Sequence, residues 1–245
     1  MTKFFLFLVS FFNVHTTSVD SPKFISYVSH GPRTQPNIAL TFDADMTPGM
    51  VEELKQGKVK SWYNDKIVEI LEREKIPATI FMSGMWAELY PDISRQLASN
   101  PLFEIANHSY SHPRFADQCF ALPAMPTWGG DGEFEKSQSA IKKITGITPN
   151  FFRFPGGCQT DTDIKLANRY GLTVVGWDAA STDSFNDNLP AIINSIKTKT
   201  QNGSILLFHF HGNKNAPHSA EALEATIPYL RSKGFNFVKL SELLN

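Results

Sequence analysis

An α/β fold, a distorted (β/α) barrel with about seven parallel strands, is what this chain of 245 residues predicts, on three observations. Short β-rich apolar runs alternate with longer stretches of helical periodicity, the pattern that yields parallel strands with helices outside them. Gly171, Gly203 and Gly234 fall where those helices should stop, each just ahead of a strand-like run. No Gly-x-Gly-x-x-Gly follows the first strand, so an open dinucleotide-binding sheet lacks its mark and the closed form is favoured.

The elements follow in order. Lys3 precedes Phe4 to Phe12, nine residues apolar but for Ser10, and a polar stretch comes after. Residues 1–20 therefore read as a secretory signal peptide, with roughly half the ~20 apolar residues that a bilayer span needs. No Ala-x-Ala marks a cleavage site, so an uncleaved anchor stays open. The remainder, 21–245, reads as one domain without linker or repeat. Strands are expected at 38–42, 78–82, 103–106, 151–153, 173–177, 205–208 and 235–238. Between them, Ile67, Ile70 and Leu71, or Ile164, Ala167 and Tyr170, recur at the three- and four-residue spacings of amphipathic helices. Residues 113–132, with Pro123, Pro126, Gly129 and Gly130, read as a long loop over one face.

Composition narrows the partners. Lys and Arg number 23 against 24 Asp and Glu, with no basic block, which disfavours nucleic acid or an anionic membrane as partner. A neutral or mixed-charge ligand fits better. Cys119 and Cys158 are the only cysteines. An exported chain permits their pairing and two free thiols are the alternative, while the lack of Cys-x-x-Cys argues against a thiolate metal site.

Chemistry concentrates at the strand ends. In Thr41-Phe42-Asp43-Ala44-Asp45 the carboxylates are two residues apart and share a face, a costly placement for like charges unless a cation sits between them. His108 and His112, after the 103–106 run, have the spacing of one face of a helical turn, and with one carboxylate they would form a facial triad that leaves coordination positions open. Arg153 stands beside Pro155-Gly156-Gly157, where a guanidinium can grip a carboxylate and an unshielded backbone N–H can serve an oxyanion. Trp177, followed by Asp178 and Asp183, suits a sugar ring at a pocket mouth. His209, or its neighbour on the same face, His211, could donate a proton near neutral pH.

Taken in order, these five segments resemble the five motifs of the polysaccharide deacetylase family, the family 4 carbohydrate esterases of the NodB homology domain. The matches run from about 37 to 244: a Thr-Phe-Asp-Asp motif, a His-Ser/Thr-x-x-x-His motif that 107–112 resembles in all but spacing detail, Arg-x-Pro, an Asp/Trp segment and Leu-x-His. The resemblance implies Asp43 as general base toward water, and Asp45, His108 and His112 as ligands of a divalent metal, most often zinc. It implies Arg153 as the group that orients Asp43, the N–H of Gly156 as an oxyanion donor and His209 as the acid for the leaving amine. The implied reaction removes acetyl groups from N-acetylated sugars of peptidoglycan or a chitin-type glycan and releases acetate. The chain departs from the family pattern at Ala44, which separates the two aspartates, and at Gly156, where an aromatic wall of the sugar groove is usual. It departs also at Ala180, which leaves Asp178 or Asp183 to support the histidine. An O-acetyl esterase acting on xylan and a non-catalytic carbohydrate-binding relative are the competing expectations. A two-metal phosphoesterase lacks the ligands for its second ion.

Overall fold

A computed structural model describes residues 27–245; the expected leader at 1–20 lies outside the described residues. In chain order the elements are β1 (Asn37–Ala44), α1 (Pro48–Lys55), α2 (Asp65–Glu74), β2 (Ala78–Met82), α3 (Gly84–Leu89), α4 (Pro91–Ser99), β3 (Phe103–Asn107) and α5 (Gly129–Thr145). They continue with β4 (Phe151–Phe152), α6 (Asp161–Arg169), β5 (Thr173–Val174), β6 (Ala179–Ala180), α7 (Leu189–Lys199), β7 (Ile205–His209), α8 (Ser219–Ser232), β8 (Asn236–Phe237) and α9 (Leu240–Leu243). Seven strands lie in the order β5-β4-β3-β2-β1-β7-β6, and β8 pairs with the start of β1. Every pairing is parallel. The sheet curls into a half-barrel rather than closing.

Alternation along β1 explains which face is which. Ile38, Leu40 and Phe42 enter the main core beneath the helices, with Ile67, Leu71, Ile192, Leu223 and Ile227. Ala39 turns the other way, into a smaller cluster with Phe81, Ala106, Ile205 and two leucines of α9, Leu240 and Leu243. The concave side is thus filled at its lower end by short side chains and the last helix. Its upper end, at the carboxyl ends of the strands, receives Asp43, the place where parallel α/β sheets present their chemistry.

Three sequence expectations change. The run at 173–177 is a strand only through Val174: Val175 bridges to Val28 instead, and the carbonyls of Val175 and Gly176 accept from Arg153 at 3.3 and 3.1 Å. β6 is a strand that the sequence did not announce, two alanines with polar neighbours and no apolar run. The long loop ends at Trp128, since α5 begins at Gly129. Trp128 folds back on that first turn so closely that a Cβ at position 132 would stand 2.5 Å from its ring, which makes the glycines there part of a helix start rather than a break. Gly203, at φ +74°, precedes β7 where a Cβ would meet the Pro32 carbonyl oxygen at 2.5 Å, so only glycine fits that approach.

Candidate active site

The carboxyl end of β1 gathers the site. Parallel register sets Asp43 beside His209 of β7 on one side and beside Phe81 of β2 on the other. Arg153, wholly buried just after β4, reaches across the concave face and donates from Nη1 to Asp43 Oδ1 at 2.7 Å. Its remaining donors meet the Val175 and Gly176 carbonyls, and its guanidinium lies 4.0 Å over the Phe81 ring. A buried guanidinium satisfied in this way fixes one carboxylate oxygen and leaves the other, Oδ2, directed to the cavity.

Asp45, one step beyond β1, meets His108 and His112. Asp45 Oδ1 stands 3.3 Å from His108 Nε2 and 3.4 Å from His112 Nε2, and all three side chains are buried. The histidines do not share a helical turn, as their spacing suggested. Residues 108–112 form an irregular loop, and Ser109 and His112 take left-handed backbone at φ +66° and +56°. Such conformations persist only where surrounding bonds enforce them. The buried carboxylate of Glu133 in α5 supplies that enforcement: it accepts from the Tyr110 and Ser111 amides at 2.8 Å each, from Ser111 Oγ at 2.7 Å and from Trp128 Nε1 at 2.8 Å. Asn107 Oδ1 holds the Ser109 amide at 2.8 Å. Neither Glu133 nor Asn107 was read from the sequence, and a lone Glu early in a helix carries no signal for this use.

The cluster fits a metal. Among the described residues, one ligand atom from each of Asp45, His108 and His112 lies within 4.8 Å of the others. Around a four-coordinate ion with nitrogen and oxygen ligands at about 2.0–2.1 Å, neighbouring ligand atoms fall roughly 3.3 Å apart, close to the separations of Asp45 Oδ1 from the two imidazoles, 3.3 and 3.4 Å. Buried Asp45 Oδ1 and His112 Nδ1 have no hydrogen-bond partner. His108 Nδ1 lies 2.8 Å from the Arg153 carbonyl, a contact that makes Nδ1 the donor and presents Nε2 to the cluster. Burial alone would push the Asp45 carboxyl up, yet the charge of His112 and the close approach of the His108 and His112 imidazoles hold it well below the usual range.

His209 faces the same cavity. Its Nδ1 lies 2.7 Å from Asp183 Oδ1 and its amide donates to Asp183 Oδ2 at 2.9 Å, while Ser181 and Ser219 also donate to that carboxylate. Burial disfavours the imidazolium, but Asp183 beside it, with Asp45 and Asp43 beyond, raises the ring to about 9. Asp178, the alternative supporting acid, is engaged elsewhere: it pairs with Arg33 at 2.7 Å and accepts from the Ile205 amide at 2.9 Å. His211 does not share a strand face with His209, because β7 ends at His209. It is buried against Trp62, with Nδ1 at 3.6 Å from Asp45 Oδ2, and desolvation pushes it down to about 4.

These groups line a cavity of about 350 Å³ that also includes Gly156, Trp177, Phe120 and Phe185. A larger groove of about 990 Å³, lined by Phe103, Phe151 and Thr173, lies at the opposite ends of the strands and contains none of this cluster. Cys119 and Cys158 form a disulfide, tying the long loop to the turn that carries Gly156.

Removal of Glu133 should be costly. Glu133→Ala leaves three buried or half-buried amide and hydroxyl donors of the 108–112 loop and the Trp128 indole without their acceptor, with an expected destabilisation of about 3 kcal/mol or more. Denaturant unfolding measures it, and a loss below about 1 kcal/mol would show that water replaces the carboxylate.

Residues 30–175 match the family described as polysaccharide deacetylase. A peptidoglycan-N-acetylglucosamine deacetylase of Bacillus cereus is 28% identical over 226 residues, covering 89% of this chain and 72% of its own. A chitooligosaccharide deacetylase of Azorhizobium caulinodans is 26% identical, across 83% of this chain and 92% of its own. The crystal structure of a peptidoglycan N-acetylglucosamine deacetylase in complex with 4-naphthalen-1-yl-N-oxidanyl-benzamide superposes with a TM-score of 0.74 at 26% identity, over 89% of this chain and 92% of that one. With more than half of its length matched by the family profile, and with Asp43, the Asp45–His108–His112 cluster and His209 brought to one cavity, the chain belongs to the polysaccharide deacetylase family.

Proposed function

We propose that this chain is an exported, metal-dependent hydrolase that removes acetyl groups from N-acetylated sugars of a peptidoglycan or chitin-type glycan and releases acetate. The observation that carries the reading is the pairing of two separately locked proton-transfer groups in one cavity: Asp43 held by Arg153 and His209 held by Asp183, with Asp45, His108 and His112 beside them. Relatives named for peptidoglycan and chitooligosaccharide deacetylation support the substrate class. The disulfide and the apolar leader sequence support export. No helix among the described residues is long and apolar enough to cross a membrane.

Asp45, His108 and His112 would hold the metal, and two imidazoles with one carboxylate suit zinc. When bound, a divalent cation supplies Lewis-acid polarisation of the acetyl carbonyl and eases deprotonation of water. Asp43 Oδ2, the oxygen that Arg153 leaves free, takes the proton from the attacking water as its oxygen bonds to the acetyl carbon. The Gly156 N–H is assigned to the oxyanion that results. His209, with Nδ1 committed to Asp183, gives the proton on Nε2 to the sugar nitrogen as the C–N bond breaks, so that a neutral amine leaves. Trp177 borders the sugar.

Acetate release from N-acetylchitooligosaccharides, peptidoglycan and acetylated xylan by the metal-loaded protein tests the reading. Release from the two N-acetylated glycans, abolished by a chelator and restored by zinc, is expected. Release confined to xylan would replace it with an O-acetyl esterase, and release from none of the three with a binding role.

A further inference from the structure

The mouth of the catalytic cavity carries a feature that the hydrolytic groups do not account for. Phe120 and Phe185 are 72% and 70% exposed, the highest values among the large apolar side chains of the described residues. They come from different loops, residues 113–128 and the segment between β6 and α7, yet their rings lie 6.1 Å apart and 18° from parallel. Both line the cavity with Leu122 and Trp177, and no lysine or arginine lines it. An exposed stacked pair of this kind is a poor use of apolar surface unless something covers it.

The pair is held in place rather than left to drift. Cys119, immediately before Phe120, is bonded to Cys158, immediately after Gly157. Phe120 takes left-handed backbone at φ +45°, a conformation rare for a bulky residue and one that clusters at ligand sites. The turn opposite is cut to receive the loop: a Cβ on Gly156 would stand 2.8 Å from Cys119 Sγ, 3.0 Å from Phe120 Cδ2 and 3.2 Å from Leu122 Cδ1. Position 156 therefore has no room for a side chain, because Phe120 and its neighbours already occupy that space.

We infer that Phe120 and Phe185 form an aromatic platform that binds the apolar face of a pyranose ring adjacent to the one being deacetylated, and that the Cys119–Cys158 bond holds the platform against the catalytic cavity. The occupant follows from continuity with that cavity, from the absence of lysine and arginine among its lining residues and from the flat C–H face that a sugar ring offers to an aromatic ring. Phe120 and Phe185 are positioning residues: they touch the glycan and not the reacting atoms. This inference rests on the deacetylase reading above.

The test uses the full zinc-loaded chain and N-acetylchitooligosaccharides of increasing length. Phe120→Ala with Phe185→Ala is expected to raise KM about tenfold on long oligomers with kcat changed less than twofold, and to have little effect on a monomeric N-acetyl sugar. Phe120→Tyr should retain the wild-type KM. Cys119→Ser with Cys158→Ser should raise KM in the same length-dependent way. Because Phe185 lies outside the disulfide loop, Phe185→Ala alone serves if the paired variant folds poorly. Binding of an N-acetylchitotetraose, followed by calorimetry in the Asp43→Asn background, gives a readout independent of turnover. Acetate release by the wild type together with an unchanged KM in the variants overturns the platform and leaves the deacetylase reading standing. No release, with tetraose binding that weakens on loss of the two rings, upholds the platform and overturns the hydrolytic reading. Neither release nor binding overturns both.

Discussion

Asp43→Asn is expected to lower kcat for acetate release by about 10³-fold, within the 10²–10⁴ range that a positioned base contributes, while added zinc is still bound. The substitution is close to isosteric, and the amide oxygen can still accept from Arg153 Nη1, which now holds the carboxylate oxygen at 2.7 Å. What disappears is the capacity of the free oxygen to take a proton. Metal retention follows from the division of the two aspartates: the unpartnered buried oxygen is on Asp45, which approaches both imidazoles at 3.3 and 3.4 Å, whereas Asp43 approaches only His108, at 3.5 Å, and is held by Arg153. Asp45→Asn should therefore show the converse, a loss of zinc measured by metal analysis. Arg153→Gln should cost nearly as much activity as Asp43→Asn, and the double variant little more than either, because groups that act as a unit are not additive. Wild-type turnover in Asp43→Asn, or zinc lost from it and kept in Asp45→Asn, would reverse the assignment.

Much of this site was legible because strand ends in a parallel sheet are predictable places and the ligating residue types are few. The i, i+2 spacing of Asp43 and Asp45 signalled convergence before any fold was known, and β1 does deliver both to one cavity, with Ala44 turned into the core. The histidine pair was legible as a pair but not in its conformation, since His-x-x-x-His encodes a spacing and not the left-handed residues that close a loop. Long-range supports were invisible. Glu133 is 22 residues from Ser111, and nothing local distinguishes a helix-start glutamate that faces solvent from one that anchors a loop. The choice between Asp178 and Asp183 turned on the two-residue strand β6, too short to leave a pattern. The same holds for Gly156: the sequence showed the missing side chain, while the reason, a loop stapled into that space, needed the tertiary packing.

Asp183→Asn should move the alkaline limb of activity to lower pH by at least one unit and reduce kcat at neutral pH by about 10–100-fold. The sign follows from His209. Its folded value, raised to about 9 from an ordinary 6.5, keeps the ring protonated and able to donate across neutral pH, and activity falls as pH rises through that value. A bound dication would offset the contributions of Asp43 and Asp45 and leave that of Asp183, so the limb lies at or below about 9 and responds chiefly to Asp183. Stability shows the same dependence. The His209 contribution is complete below 6.5 and lost as pH climbs through about 9, whereas Asp183, held below its ordinary 3.8 by the charge of His209 despite burial, contributes above that value and loses its contribution in acid. The contribution of the ion pair to stability is therefore largest between about 4 and 6.5 and declines as pH rises from there through about 9. His209→Ala should abolish the limb altogether and cost about 10²–10⁴-fold on an amide, whose nitrogen must be protonated to leave, but much less on an acetyl ester, whose oxygen leaves more readily as an anion. Equal losses on amide and ester, or an alkaline limb that survives His209→Ala, would show that the proton comes from elsewhere in the cavity.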